Sequence, residues 1–397
     1  MEAELARRIK IKGRITFAEF MEVALYHPQA GYYTCAAEID TRGDFVTSPV
    51  LHPAFGALMG RFVAHAWEAM GRPMPFDVVE IGGGTGALAD SLLESLRLGA
   101  PSLYELVRYH MVEASARMRQ MQTELLASRH PGKVSWPSQR AALATESVTG
   151  CILSNEVVDA LPFHRVCMEA GRLQEIYVGM TGDRFAPVLG EPSTPAIARY
   201  LRDVRVQLAD GTTVEVRLAA RKWIRSLGRA LRKGSVVTVD HGYPAAELYG
   251  PRFPRGTLMC YQQQVRSEDA LERPGIQDIT ARVDFTALSE AGAKAGLAAM
   301  PLLTQRDFLL KLGISSYLDG LRREHIPARD RLIERRALLA LLDPDGLGNC
   351  KVLVQHKGLS ETEAGLIANP APREWPVLLR EPTPVPTWGE AMLSGEV

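Results

Sequence analysis

Net charge is what this chain lacks most plainly: 46 basic and 46 acidic side chains cancel, so no overall field draws it to nucleic acid or to an anionic membrane. Cysteine is scarce. Cys35, Cys151, Cys167, Cys260 and Cys350 are odd in number, scattered and never spaced as Cys-x-x-Cys. That argues against a disulfide framework or a zinc knuckle and for a reducing, cytoplasmic setting. No apolar run reaches the roughly 18 to 20 residues of a membrane span. Glu2 and Glu4 lie among basic residues with no apolar secretory core behind them. Internal repeats are absent, and no metal site is expected. The chain reads as soluble and untargeted, with no nucleic-acid partner and no membrane partner.

Length is not lacking: 397 residues suffice for one large elaborated domain or two domains, with room for a real cleft. Over residues 15–26, Phe17, Phe20, Met21, Ala24 and Leu25 recur at helical spacing after Thr16, a suitable N-cap. His27 to Pro53, with its prolines, glycines and the pair Tyr32 and Tyr33, predicts a long loop, and loops of that length usually carry function. A helix over about 54–70 leads to strand 77–81. Strands and helices then alternate: helix 87–98, strand 109–112, helix 115–128, strands 134–136 and 152–154, helix 222–232 and strand 236–239. Alternation of this kind predicts βαβ units and a parallel sheet covered by helices on both faces. Between about 163 and 220, short β-like pieces separated by Gly and Pro predict an insertion. A helical pair over 278–311 and a last strand at 351–355 follow, and prolines beyond Gly365 predict an extended tail packed on the body or partly disordered.

The segment Val79-Glu80-Ile81-Gly82-Gly83-Gly84-Thr85-Gly86-Ala87 reads as strand, glycine turn, helix. Gly82, Gly84 and Gly86 suit a tight reversal and a close backbone approach to a ligand. The loose dinucleotide fingerprint fits the same residues. Glu80 separates the two readings: its carboxylate repels a pyrophosphate but suits S-adenosyl-L-methionine, whose methionine part carries an ammonium and whose sulfur is cationic. Glu113, at the end of the next strand, is placed to accept from both ribose hydroxyls, which either cofactor offers.

A second constellation is Asn155-Glu156-Val157-Val158-Asp159, after a strand end where ligands of open α/β sheets bind. Glu156 and Asp159 there suit a guanidinium fork or a proton acceptor. The plain alternative is a helix start capped by Asn155, with both carboxylates favourable to its dipole. A third is Asp240-His241, an acid or base candidate after the next strand.

At these residues the chain resembles the MidA-like methyltransferases, a family that includes the mitochondrial complex I assembly arginine methyltransferase. The resemblance spans roughly residues 10–360. It rests on Ile15 to Met21, Gly31-Tyr32-Tyr33, Gly43-Asp44-Phe45-Val46-Thr47-Ser48-Pro49, Phe55-Gly56, the glycine turn, Val112 to Ser115, Asn155-Glu156 to Pro162, Gly256-Thr257-Leu258, Cys260-Tyr261 and Gln277 to Thr280. It implies a Rossmann-like, seven-stranded α/β core that binds S-adenosyl-L-methionine and releases S-adenosylhomocysteine. The implied layout is an N-terminal helical and loop lid (1–75), a first core part (76–162), an inserted substrate-side subdomain (163–220), a second core part (221–365) and a Pro-rich tail (366–397). It also adds Tyr32, Asp44, Thr47, Ser48 and Pro49 to the cofactor candidates, beside Glu80, Gly82, Gly84, Gly86, Glu113 and Asn155.

Four positions depart from the family pattern. Val50 replaces a glutamate, His241 a tyrosine, the Gln262-Gln263-Gln264 run a histidine, and Arg282 another histidine. All four fall in motifs that the family places near the substrate side. The expectation is a methyltransferase acting on a nitrogen or oxygen nucleophile, with Glu156, Asp159, Asp240 and His241 as catalytic candidates. Its acceptor is protein arginine or a small molecule, and the loss of acidity at positions 50 and 282 tips the choice toward a neutral or anionic group. A homodimer is possible, and the alternative is a cofactor-binding assembly factor of the same fold with altered chemistry.

Overall fold

The computed structural model describes residues 1–36, 46–263, 265–323, 326–370 and 374–379. Asp44 and Gln264 therefore lie outside the described residues. The chain forms two compact units: residues 1–38, 156–226 and 240–296 in one, and 39–155, 227–239 and 297–397 in the other.

The second of these is the α/β core. Its strands are β1 (Phe76–Ile81), β2 (Val107–Val112), β3 (Val134–Ser135), β4 (Val148–Asn155), β5 (Leu231–Asp240), β6 (Ala298–Ala299), β7 (Leu303–Thr304) and β8 (Lys351–Lys357). They run in the order β6-β8-β5-β4-β1-β2-β3, with the short β7 added on β8. The path thus has the expected seven strands. The pairs β1 with β2 and β4, β4 with β5, and β2 with β3 are parallel, whereas β6 and β7 pair antiparallel with β8. Strand order reverses between β1 and β4, and in open α/β sheets ligands bind at such a reversal, beyond the carboxyl ends of the strands.

Helix α1 (Pro53–Ala69) packs on α2 (Ala87–Gly99) at close range. Glycines permit it: a Cβ on Gly56 would lie 2.6 Å from Ser91 Cβ, and one on Gly60 would lie 2.9 Å from the Leu92 carbonyl. Because α1 is apolar nearly all round and buried with α2 in the main core, it goes with the sheet. The boundaries between the units fall at 38, 155, 226, 239 and 296.

In the first unit an antiparallel sheet orders strands Ile15–Thr16, Arg172–Thr181, His164–Glu169 and Thr213–Val216, with Arg184–Gly190 added on Arg172–Thr181. The helix Phe17–Tyr26 begins at Thr16, whose hydroxyl accepts the Glu19 N–H as foreseen. It belongs here because Phe17 stacks on Phe163 at 5.3 Å and Phe20 meets Phe185 edge-on at 6.0 Å.

One expectation changes at the C-terminal end. Helix Glu361–Ala368 runs through Gly365, started by a capping box in which Ser360 and Glu363 bond reciprocally. Trp375 then packs back on α2, its indole N–H donating to Ser95 Oγ at 2.7 Å. Among the described residues no helix is long and apolar enough to cross a membrane.

Candidate active site

β1 is buried along its whole length and runs straight into the glycine turn. Gly82, Gly84 and Gly86 have φ of +68°, +51° and +89°, a region costly to any residue with a Cβ. The Gly86 N–H closes the turn on the Gly83 carbonyl at 2.9 Å, and Gly86 caps α2. A Cβ on Gly83 would lie 2.2 Å from Met111 Cε, so the turn is also pressed against β2.

Two carboxyls flank this turn. Glu80 is 2% exposed, and Tyr109 donates its hydroxyl to Glu80 Oε2 at 2.7 Å. Burial pushes the Glu80 carboxyl up to about 7; the Tyr109 bond opposes that rise and the nearby Glu113 adds to it. Burial raises Glu113 as well, against bonds from the Ser115 amide and Gln122. Gln122 ties the parts together. Its Nε2 donates to the Gly84 carbonyl at 2.7 Å and to Glu113 Oε2 at 3.2 Å, and its Oε1 accepts from Trp136 Nε1 at 2.9 Å. The signal for Gln122 was present but unread: it is the one polar member of the buried face Met118, Gln122, Leu126 of helix Ala116–Arg129. A backbone cradle between two desolvated carboxyls fits a cationic amino-acid ligand and disfavours a pyrophosphate. The residues present therefore suit S-adenosyl-L-methionine.

Thr47, Ser48 and Pro49 form the start of a short helical turn in the same unit. Ser48 is buried and donates to Gln305 Oε1 at 3.0 Å. Behind it His52 accepts the Ala54 N–H through Nδ1 at 2.9 Å and meets Glu334 Oε2 through Nε2 at 2.7 Å. These bonds pin the segment from below. Tyr32, in the other unit, is fully buried against the edge of Tyr33.

No helix starts at Asn155. β4 ends there and the chain bends into a turn in which Glu156 takes φ +51°, so the helix-cap alternative falls. Val239 is the register partner of Asn155, and Asp240 and Glu156 follow them off adjacent strands. Asp240 is fully buried, and its Oδ2 accepts the N–H groups of Val157 at 3.2 Å, Val158 at 2.8 Å and Asp159 at 3.3 Å. Its Oδ1 accepts the His241 N–H at 2.8 Å. Expected as an acid or base, Asp240 instead has both oxygens engaged by backbone. Burial, with the Asp159 and Glu156 carboxyls beside it, pushes it upward, and the amide donors oppose that.

The carbonyl side of the turn is held too. Arg217 donates from Nη2 to the Asp159 and Ala281 carbonyls at 2.7 and 3.0 Å, and from Nε to the Leu161 carbonyl at 2.9 Å. Tyr26 donates to the Ala160 carbonyl at 2.9 Å. Arg217 escaped sequence reading because its hydrogen bonds all go to backbone carbonyls of distant segments. Burial raises Asp159, with the Arg217 and Arg282 charges opposing. His241 Nε2 lies 3.9 Å from Glu156 Oε2. The turn thus carries two mostly buried carboxyls on fixed backbone.

Residues 58–302 match the family described as Putative S-adenosyl-L-methionine-dependent methyltransferase. The chain is similar to the mitochondrial protein arginine methyltransferase NDUFAF7 of Mus musculus, with 30% identity over 79% of this chain and 74% of that protein. Its likeness to the Homo sapiens protein of the same name is 28% over 90% and 84%. Among solved structures it is similar to a "likely methyl transferase" from Burkholderia thailandensis bound to S-adenosyl-homocysteine. There the identity is 32% and the TM-score 0.81, covering 90% of this chain and 92% of that one.

Proposed function

The chain belongs to this family of S-adenosyl-L-methionine-dependent methyltransferases, and on that premise we propose that it methylates a guanidinium nitrogen of protein arginine, received at the turn of Glu156 and Asp159. In this reading Glu80, the glycine turn and Glu113 hold the cofactor, with Asn155 at the strand end and Thr47 to Pro49 beside them. The cofactor supplies an electrophilic methyl on a cationic sulfur.

The observation that carries the acceptor is the turn itself: two desolvated carboxyls on backbone fixed from both sides, one of them on a left-handed residue. Such strain persists only where the surroundings impose it. Glu156 and Asp159 would accept N–H bonds from the guanidinium, orient its lone pair along the line of transfer, and take the proton released as the new N–C bond forms and the C–S bond breaks. The relatives named as protein arginine methyltransferases support the same reading.

A second reading, a neutral or anionic small acceptor, is favoured by His241 beside Glu156 and by the Arg282 charge near Asp159, which leave the turn less acidic than two carboxyls alone. The five cysteines, all free thiols in the fold, suit a reducing compartment for either reading.

Tritiated S-adenosyl-L-methionine decides between them when offered to a peptide pool with a fixed central arginine, to the same pool with lysine, and to a deproteinised extract of the source cell. Label in the arginine pool, with Glu156→Gln and Asp159→Asn each lowering turnover far more than cofactor affinity, is the expected result. Label confined to the small-molecule extract overturns the arginine assignment. Wild-type turnover in both variants removes the two residues from the site.

A further inference from the structure

We propose that Asp240 is a positioning residue for methyl transfer: its carboxylate sets the conformation of the Glu156–Asp159 turn and never touches either substrate. The inference rests on the reading of that turn as the acceptor site.

Three consecutive amides converging on one oxygen form a concave backbone nest, a geometry that selects an anion. Here the anion is supplied by the protein. Asp240 Oδ2 fills the nest of Val157, Val158 and Asp159 while Oδ1 takes the His241 N–H, so all four of these donors are backbone amides. A fully buried carboxylate in that arrangement has no oxygen to offer a ligand. What it governs is where the next side chains point. The nest begins at the residue after Glu156 and includes Asp159, and the same carboxylate orients the backbone of His241. One group therefore fixes the three side chains that the sequence marks as chemical. Arg217 and Tyr26 close the opposite side through the carbonyls of residues 159–161, so the turn is clamped through N–H groups by an anion and through C=O groups by a cation and a phenol.

Asparagine is isosteric with aspartate but offers one acceptor oxygen and an NH₂ group. Whichever way it turns, it sets a donor against an amide donor. Asp240→Asn should accordingly loosen the turn with little change of shape. Glutamate is a methylene too long for a closed nest.

The test uses the full-length chain. Amide hydrogen exchange of residues 157–159 and 241 should quicken by about tenfold or more in Asp240→Asn, with the rest of the core unchanged. Affinity for S-adenosylhomocysteine by calorimetry should stay within about twofold, because the cofactor groups belong to other segments. With the arginine peptide pool, kcat should fall on the order of a hundredfold, and the same substitution in a Glu156→Gln background should cost far less, since its effect runs through Glu156. Losses that multiply independently, or unchanged exchange at 157–159, overturn the proposal. If Asp240→Asn lowers the melting temperature of the whole protein, Arg217→Lys probes the other side of the clamp and should reproduce the kcat loss with cofactor affinity intact; unimpaired kcat there counts against it. Failure of every peptide to take label sinks the acceptor reading alone, and the exchange measurement then decides whether Asp240 holds the turn.

Discussion

Replacing Glu80 with glutamine should make the unliganded protein more stable and the cofactor site nearly useless. Burial holds the Glu80 carboxyl at about 7 in the fold, against 4.5 for the free group. Between those two values the folded chain binds a proton that the unfolded chain has released, so this group's contribution is fully present below pH 4.5 and is lost as pH rises through 7. The difference amounts to about 3 kcal/mol at pH 8, as a ceiling. Glutamine still accepts the Tyr109 hydroxyl but carries no charge, so Glu80→Gln should recover much of that penalty and raise Tm by several degrees at pH 8. At pH 4.5 it should do little.

The ligand side has the opposite sign. A cationic ligand next to Glu80 favours the ionised carboxylate, so binding must expel a proton below pH 7, and affinity should weaken by up to about tenfold per pH unit there. Titration calorimetry of S-adenosyl-L-methionine in two buffers of different ionisation enthalpy counts that proton directly. We expect close to one released at pH 6, close to none at pH 8, and none at either pH in Glu80→Gln. Tyr109→Phe removes the hydroxyl that favours the ionised form and should move the midpoint upward. Proton release that is absent at pH 6 in the wild type, or wild-type affinity in Glu80→Gln at pH 8, would refute the assignment of Glu80 to the cofactor.

Three further outcomes follow from the fold. Gly84→Asp places a Cβ and a charge at φ +51° in the turn and should abolish S-adenosylhomocysteine binding by calorimetry while the circular dichroism spectrum is kept; NADH should bind neither protein. Gly60→Val drives methyl groups into the Leu92 carbonyl, and overpacking of that kind costs about 1–3 kcal/mol, to be read from urea unfolding; a neutral result would mean that α1 and α2 are not in close contact. His52→Ala strips Glu334 of its 2.7 Å partner. Loss of a buried hydrogen bond of that kind costs about 1–3 kcal/mol, so the melting temperature should drop at pH 7, and an unchanged melt would mean that the bond does not hold this segment.

The α/β alternation was legible because each element carries its own signal. β1 is a short apolar run that ends in glycine, and α2 has a clean apolar face. The cofactor candidates Glu80 and Glu113 could be named from the same strand ends. What local pattern could not convey is which segments meet. Phe17 and Phe163 are far apart in sequence, so nothing local tells that the helix Phe17–Tyr26 joins the inserted sheet. Asp240 reads as a catalytic dyad with His241 because the sequence displays neighbours and hides the three amides of residues 157–159. Ser360 and Glu363 are a different kind of miss. Their capping box was on the page, and the prolines beyond it drew the eye to a tail.

The position of β8 has a consequence for how this protein must be made. Residues Lys351–Lys357 sit between β5 and β6, so the last strand among the described residues occupies an interior place. Until it arrives, β5, buried and rich in valine, presents an open edge to any other nascent strand, the situation in which chains pair with the wrong partner. The core is incomplete until this strand is made, and a premature stop before residue 351 yields a sheet with a gap in it and not a slightly shorter enzyme. Such truncations should go to chaperones and inclusion bodies, even though every residue of the cofactor turn and the acceptor turn has already been translated.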